Sequence, residues 1–185
     1  MTQAEAELGL CQDVVSVRDV WERLYALGVR ERAVTGGGNF AALRFAAVKF
    51  LPSGAFEFAH NLPDASGAVL AVIVPMLDID GRTHDLVALD LETMRAARWR
   101  RSLSILGMHR LYGPRIEPLA VYQTPLEWLR AGRDGIVIAD FPAATKLLCG
   151  GEPLAVDDAA FGRELHAKLR LGPPRILVRE QRRVA

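Results

Sequence analysis

Cysteine is scarce in this chain: only Cys11 and Cys149 occur, far apart and without a Cys-x-x-Cys or Cys/His spacing. This pattern predicts neither a disulfide framework nor a structural zinc site. The four histidines form no His-x-x-x-His pattern, and none lies beside a serine or cysteine in a nucleophile motif. Because no complete catalytic signature is present, the sequence favours a protein that is not an enzyme and has no cofactor.

A long hydrophobic run is also missing. The most apolar stretch, residues 68–79, is about a dozen residues long and contains Pro75, whereas a helix needs about 20 apolar residues to span a bilayer. The first dozen residues include Glu5 and Glu7 and lack the basic and apolar regions of a secretory signal. We therefore expect a cytoplasmic protein that does not enter a membrane.

An excess of one charge sign is absent, because the formal net charge is +1. A value this close to zero argues against a uniformly basic surface that attracts phosphate. Lysine is rare, however, and 20 of the 23 basic residues are arginine. Arginine suits bidentate contacts with phosphate, guanine or carboxylate, although a GC-rich genome would produce the same bias. Any contact with nucleic acid must therefore be local.

The composition is that of an ordinary globular protein, since half of the 185 residues are apolar and 24% are charged. This length suits a single domain, residues 1–185. Apolar residues recur at helical spacing from Val17 to Leu27, and Ser16 is predicted to cap this helix. Residues 40–51 and 55–62 then alternate like two strands around a Pro-Ser-Gly turn.

A β-hairpin is the clearest local pattern. Residues 68–78 and 83–91 flank Asp80-Gly81, a dipeptide typical of tight hairpin turns. Residues 98–105 are predicted to add a third antiparallel strand, with residues 92–97 as its connection. Residues 1–106 are therefore predicted to form an N-terminal helix and an antiparallel β-meander.

Two polar segments have a structural and a functional interpretation. Asp78, Asp80, His84 and Asp85 crowd the hairpin tip and offer oxygen atoms to a hard cation, but a tight turn favours the same residues. The glycine-rich residues 35–39 offer backbone amides to a phosphate, but they lack the lysine of a P-loop. We interpret the first segment as a polar turn and the second as a hinge.

From Glu117 onward, short apolar strands alternate with short helices. Such alternation is typical of βαβ units with a largely parallel sheet. The predicted strands are 119–122, 135–140, 153–156 and 175–178, and the predicted helices are 124–131, 142–148 and 159–171, the last capped by Asp157. The chain is therefore assigned to the α+β or α/β class, with residues 117–180 as a small three-layer α/β subdomain.

The densest basic and aromatic stretch lies near the middle of the chain. It comprises Arg95, Arg98, Trp99, Arg100 and Arg101. On a strand, Arg98 and Arg100 would face one way, and Trp99 and Arg101 the other. These residues are the candidate nucleic-acid-binding site, in which guanidinium groups contact phosphates and the indole stacks on a base. The alternative is a solvated sheet face with a tryptophan in the core.

The segment LAVYQTPLEWL, residues 119–129, followed by GIVIAD, residues 135–140, resembles the start of a Toprim-like unit. Similar stretches occur in hypothetical proteins of phages and integrated elements from GC-rich bacteria. In Toprim proteins a glutamate ends the first strand and a later strand carries an Asp-x-Asp pair. The resemblance implies a magnesium site used in primase, topoisomerase or nuclease chemistry.

The residues that would form this magnesium site depart from the Toprim pattern. Gln123 replaces the glutamate, Asp140 is single, and Asp157 and Asp158 are adjacent. An amide is a neutral and poorer ligand for a hard divalent cation than a carboxylate. The resemblance therefore implies a degenerate site.

Three functional hypotheses follow. The favoured one is a non-catalytic accessory or interaction protein of a phage or another mobile element, which binds a protein or a nucleic acid. The first alternative is a metal-dependent enzyme acting on nucleic acids or nucleotides, with Asp140, Asp157 and Asp158 at the carboxyl ends of the strands. The second alternative is a small-molecule sensor with a cleft between the meander and the α/β subdomain. A large apolar pocket with few polar groups would favour this last hypothesis.

Overall fold

The computed structural model describes residues 1–36, 41–112, 117–148, 151, 153–169 and 176–178. Most of the predicted glycine-rich hinge, from Gly37 on, and Cys149 lie outside these ranges. Within them, every helix falls short of the length and apolar character that crossing a lipid bilayer requires.

Three short helices occupy the N-terminal part of the chain. They are α1 (Gln3–Gly9), α2 (Arg18–Ala26) and α3 (Glu31–Thr35). The helix predicted after Ser16 is confirmed as α2, but its cap was predicted wrongly. Ser16 ends a short 3-10 helix and its hydroxyl donates to the Asp13 carbonyl, so Val17 precedes the first turn. Helix α1 was missed although Thr2 and Glu5 form a capping box at its start.

The first sheet contains six antiparallel strands. They are β1 (Gln12–Asp13), β2 (Arg44–Phe50), β3 (Phe56–Phe58), β4 (Val69–Leu77), β5 (Thr83–Leu89) and β6 (Ala96–Arg98). Their order is β1-β2-β4-β5-β6, and β3 pairs with β2 on the edge that β1 also uses. The predicted hairpin is confirmed, with Val74 opposite Val87. From Ala71 to Leu77 both faces of β4 are buried, which explains its continuous apolar sequence.

The end of the meander differs from the prediction. Residues 98–105 do not form one strand: β6 ends at Arg98, and Ile105–Leu106 forms β7 in the second sheet. The chain bends between these strands because the buried Asp85 carboxylate binds the backbone N–H groups of Arg100 and Ser102. Strand β6 also begins inside the predicted connection, at Ala96.

The first sheet curls until its two ends meet. Ala55, just before β3, forms a parallel bridge with Arg98 of β6. This seam closes the sheet around an apolar core that contains Phe56, Phe58 and Ile73 and is covered by α1. The seam places the turn of residues 51–54 beside the arginine-rich segment.

The second sheet contains β7, β8 (Leu119–Tyr122), β9 (Ile136–Ile138), β10 (Leu154–Val156) and β11 (Ile176–Val178). Its order is β11-β10-β8-β9-β7, and all pairs are parallel except β7 with β9. The connecting helices are α4 (Pro125–Arg130), α5 (Phe141–Leu148) and α6 (Ala159–Lys168). Within the described residues, the predicted strands and helices of this unit are confirmed. The predicted end of the last helix, residues 170–171, and the first residue of the last strand lie outside the described ranges. The cap of α6 is Asp158 rather than Asp157, because the Asp158 carboxylate accepts from Phe161 N.

The helices cover both faces of the second sheet, which confirms the predicted three layers. Helices α5 and α6 pack on one face through Leu148 and Leu165. On the other face, Trp128 and Leu129 of α4 join a core that reaches α2 and the first sheet. The two sheets therefore share an apolar core. A cleft remains between them beside the seam.

Candidate functional site

Arg95 lies just before β6 and is exposed. Its Nη2 donates to the Leu51 carbonyl at 3.1 Å, and its guanidinium lies 4.8 Å from the centre of the Phe50 ring. Both contacts leave its charge unneutralised. They hold the guanidinium against the turn of residues 51–54.

Arg98 has a different environment, since its side chain is only 13% exposed. Its Nη1 donates to the Leu103 carbonyl at 2.9 Å, and its Nη2 lies 3.4 Å from the Asp140 carboxylate. Arg98 thus connects β6 to the loop after β9. Its charge is balanced within the protein.

Trp99 lies against the core of the curled sheet. Its ring packs edge-to-face on Phe58 at 6.0 Å, and the Arg100 guanidinium lies 4.6 Å from the indole centre. Arg100 shares the side of Trp99 rather than that of Arg98, because β6 ends at Arg98 and the strand alternation stops there. Trp99 is partly buried, and the Arg100 guanidinium lies over its indole, so Trp99 supports Arg100.

Arg101 adopts a left-handed backbone conformation with φ of 59°. A non-glycine residue there costs roughly 1 kcal/mol or more unless the surroundings hold it in place. Here the hydrogen bonds of the residues on both sides hold it: Arg100 N and Ser102 N both donate to the Asp85 carboxylate. The Arg101 side chain is exposed and faces the turn, so that a Cβ atom at Gly54 would lie 3.2 Å from its Nη2.

Asp85 was interpreted from the sequence as part of a polar hairpin tip, and the structure corrects this. Its side chain is 0% exposed, and its two oxygens accept from four backbone N–H groups. These are Leu86 N at 2.8 Å, Arg100 N at 3.0 Å, Ser102 N at 2.7 Å and Leu103 N at 3.4 Å. The strand pattern places Asp85 on the same face as the buried Val87, so the sequence could have indicated that Asp85 is buried. A buried carboxylate requires hydrogen-bond partners, which would have marked this residue as structural.

Arg95, Arg100 and Arg101 together form what we term the arginine rim. Arg95 and Arg101 contact opposite ends of the same turn, and Arg100 immediately precedes Arg101. Among the residues that the structure describes, no carboxylate forms an ion pair with any of the three. The rim is therefore a local concentration of positive charge on a protein of nearly zero net charge.

A cleft of about 430 Å³ opens beside the rim, between β6 of the first sheet and the carboxyl ends of β8 and β9. We term it the inter-sheet cleft. Most of its lining residues are aliphatic, its polar side chains are Arg98, Arg101 and Gln123, and its accessible surface is about equally polar and apolar. It lies where the sensor hypothesis places a cleft, between the meander and the α/β subdomain. Sequence reasoning could not name its lining residues, because its two walls come from separate sheets.

A second cleft of about 430 Å³ lies at the carboxyl ends of β8 and β10. The chain leaves these strands in opposite directions, and such switch points commonly bind ligands in open α/β sheets. Two of the carboxylates that line this second cleft already accept hydrogen bonds from backbone N–H groups, however. Glu127 accepts from Gln123 N and Thr124 N, and Asp158 caps α6.

The three aspartates of the metal hypothesis are not brought together. Asp140 follows β9, whereas Asp157 and Asp158 follow β10, and β8 lies between these strands. Two strand spacings amount to roughly 10 Å. Asp140 also accepts from Ala143 N and pairs with Arg98. Within the described part of the chain, no group of three His, Cys, Asp or Glu side chains could hold a metal ion.

No protein-family model matches this chain, and no curated protein matches it. The Toprim resemblance, the mobile-element origin and the single domain stay predictions. The arrangement of the arginine rim and the inter-sheet cleft is therefore the basis for a functional proposal.

Proposed function

We propose that this protein is a non-catalytic binding protein whose arginine rim contacts the phosphates of a single-stranded nucleic acid. The observation that carries the proposal is one segment with three exposed guanidinium groups, two of them against the turn of residues 51–54 and none with a carboxylate partner among the described residues. Guanidinium groups form short, charge-assisted and often bidentate hydrogen bonds with phosphate.

The local character of the rim supports a single strand as the ligand. A flexible strand can bring successive phosphates to a small patch, whereas a duplex needs an extended basic surface. Trp99 contributes by supporting Arg100 rather than by stacking on a base. The rim therefore favours binding through phosphates, with little preference for sequence.

Salt dependence gives a quantitative test. Three phosphate contacts on a single strand predict a slope of log K against log salt of about −2, and each lost contact reduces the slope by about 0.7. Fluorescence anisotropy of a labelled oligothymidylate, titrated at several salt concentrations, measures this slope. The single variants Arg95→Glu, Arg100→Glu and Arg101→Glu should each weaken binding and flatten the salt dependence.

The matched control is Arg163→Glu, which makes the same charge change on the exposed face of α6. It should leave the slope close to that of the wild type. Equal loss from Arg163→Glu and from the rim variants would mean that net charge, and not the rim, attracts the strand. If the wild-type protein does not bind the oligonucleotide in low salt, the nucleic-acid proposal is wrong and a protein partner replaces it.

A further inference from the structure

We infer that the inter-sheet cleft is a binding site for a small amphipathic monoanion, namely a monocarboxylate with an apolar body. This inference does not depend on nucleic-acid binding. It follows from the shape of the cleft, the charges at its mouth and the way in which Arg101 is held.

The accessible surface of the cleft is about half apolar, which suits a ligand with both an apolar body and a polar group. Val87 and Ala96 come from the first sheet, and Leu106, Val137 and Ile138 come from the second. The volume of about 430 Å³ lies within the range of roughly 300–1,000 Å³ that is usual for small-molecule sites. Because Ala96 is small and exposed, the space beside it is open rather than filled by a core side chain.

The charges of the cleft define the ligand's charge. Arg98 is already paired with Asp140, and Gln123 is neutral. Arg101 remains with one positive charge and no carboxylate partner among the described residues. A guanidinium without an ion pair, beside walls that are partly aliphatic, matches a ligand with one carboxylate, which the guanidinium can bind with two parallel hydrogen bonds.

Asp85 makes this arginine ready for binding. Its buried carboxylate holds the N–H groups on both sides of Arg101, which keeps that residue in its left-handed conformation. A ligand therefore meets a backbone that is already ordered, and it does not lose affinity by ordering the loop. Asp85 is thus a positioning residue for the carboxylate site.

The inter-sheet cleft and the arginine rim share only Arg101. Arg95 and Arg100 do not line the cleft, and Ala96 is not part of the rim. The two activities can therefore be separated. Arg100→Glu should weaken oligonucleotide binding alone, and Ala96→Phe, which fills the cleft from an exposed position, should abolish carboxylate binding alone.

Isothermal titration calorimetry with octanoate and phenylacetate tests the inference, with octylammonium as the probe of opposite charge. We expect saturable binding of at least one carboxylate and none of octylammonium. Arg101→Gln should weaken carboxylate binding by about tenfold or more, because it removes hydrogen bonds to a charged group. Arg100→Gln is the matched control and should bind as the wild type does.

Circular dichroism of each variant separates loss of binding from loss of folding. The inference is overturned if neither carboxylate binds to the wild type, if octylammonium binds equally well, or if folded Arg101→Gln and Ala96→Phe retain wild-type affinity. Failure of oligonucleotide binding would refute the proposed function and leave the carboxylate site unaffected.

Discussion

Replacing Asp85 by asparagine should destabilise the protein by weakening the bend that presents Arg101. The side chain keeps its size, but only one of its two oxygens remains, so at most two of the four backbone hydrogen bonds survive. The new NH2 group would face N–H donors in a site that is 0% exposed. Hydrogen bonds to a charged group are worth about 1.5–3 kcal/mol each, and the bond at 3.4 Å is weak.

Asp85→Asn should therefore lower the free energy of unfolding by about 3 kcal/mol. The loss comes from one strong hydrogen bond and from a backbone N–H group that would face the new NH2 group instead of an acceptor. With a urea m-value of about 2 kcal/mol per molar, the unfolding midpoint should fall by about 1.5 M. Urea titration followed by circular dichroism measures this shift. Octanoate binding should weaken in the same variant at urea-free conditions, because the loop around Arg101 loses its anchor.

The control for this experiment is Asp80→Asn, the same chemical change in the turn of the same hairpin. Asp80 is exposed, and asparagine is equally suited to a turn before Gly81. Its midpoint should match that of the wild type. If Asp85→Asn shifts the midpoint no more than Asp80→Asn does, the carboxylate is not the anchor of the loop and the reasoning fails.

Three further predictions concern stability and reactivity. Gly107→Ala should lower the free energy of unfolding by at least about 2 kcal/mol, since φ is 81° and a Cβ atom would clash with the Gly135 carbonyl oxygen. An unchanged midpoint of urea unfolding would contradict this close approach. Burial opposes ionisation of Asp90, but hydrogen bonds from Thr93 and from backbone N–H groups outweigh it and lower the pKa of this carboxyl. The ionised Asp90 carboxylate therefore stabilises the fold fully above the unfolded pKa of about 3.9, and this contribution is lost as pH falls through the folded pKa. The difference in unfolding free energy between wild type and Asp90→Asn should therefore shrink on acidification. A difference that does not change with pH would refute the lowered pKa. Burial, reinforced by Glu7, raises the pKa of the Cys11 thiol to about 11, so iodoacetamide at mildly alkaline pH should modify Cys11 much more slowly in the native protein than in urea, as peptide mass spectrometry can measure; equal rates would show that the thiol is accessible.

Local patterns account for most of the elements that were predicted. Asp80-Gly81 indicates the hairpin because its residues tolerate the turn conformation, and Thr124-Pro125 indicates the start of α4 because proline lacks the N–H group that would have no partner at the first helical position. The capping box of Thr2 and Glu5 is a comparable local pattern and would have predicted α1. Such interactions span three or four residues, so they can be recognised without the fold.

The split of residues 98–105 between two sheets could not be recognised in this way. It depends on Asp85, which lies 15 residues before Arg100 and reaches it only once β5 is paired and buried. The partner of Arg98 is likewise distant, since Asp140 belongs to the second sheet. Arg98 and Arg101 therefore look alike in the sequence, and only their neighbours distinguish a balanced charge from an available one.

The sequence by itself determined the mixed α/β class, the meander, the layered C-terminal unit and the arginine-rich segment. Hydrophobic periodicity, turn dipeptides and caps act between near neighbours, which is why these features are visible along the chain. Only the tertiary structure decided which arginines are exposed, that Trp99 packs on Phe58, that the three aspartates lie apart, and that a cleft opens between the sheets. Those properties arise from burial and from contacts between residues that are distant in sequence. The side chains involved meet their hydrogen-bond and ion-pair partners only when the two sheets have packed together.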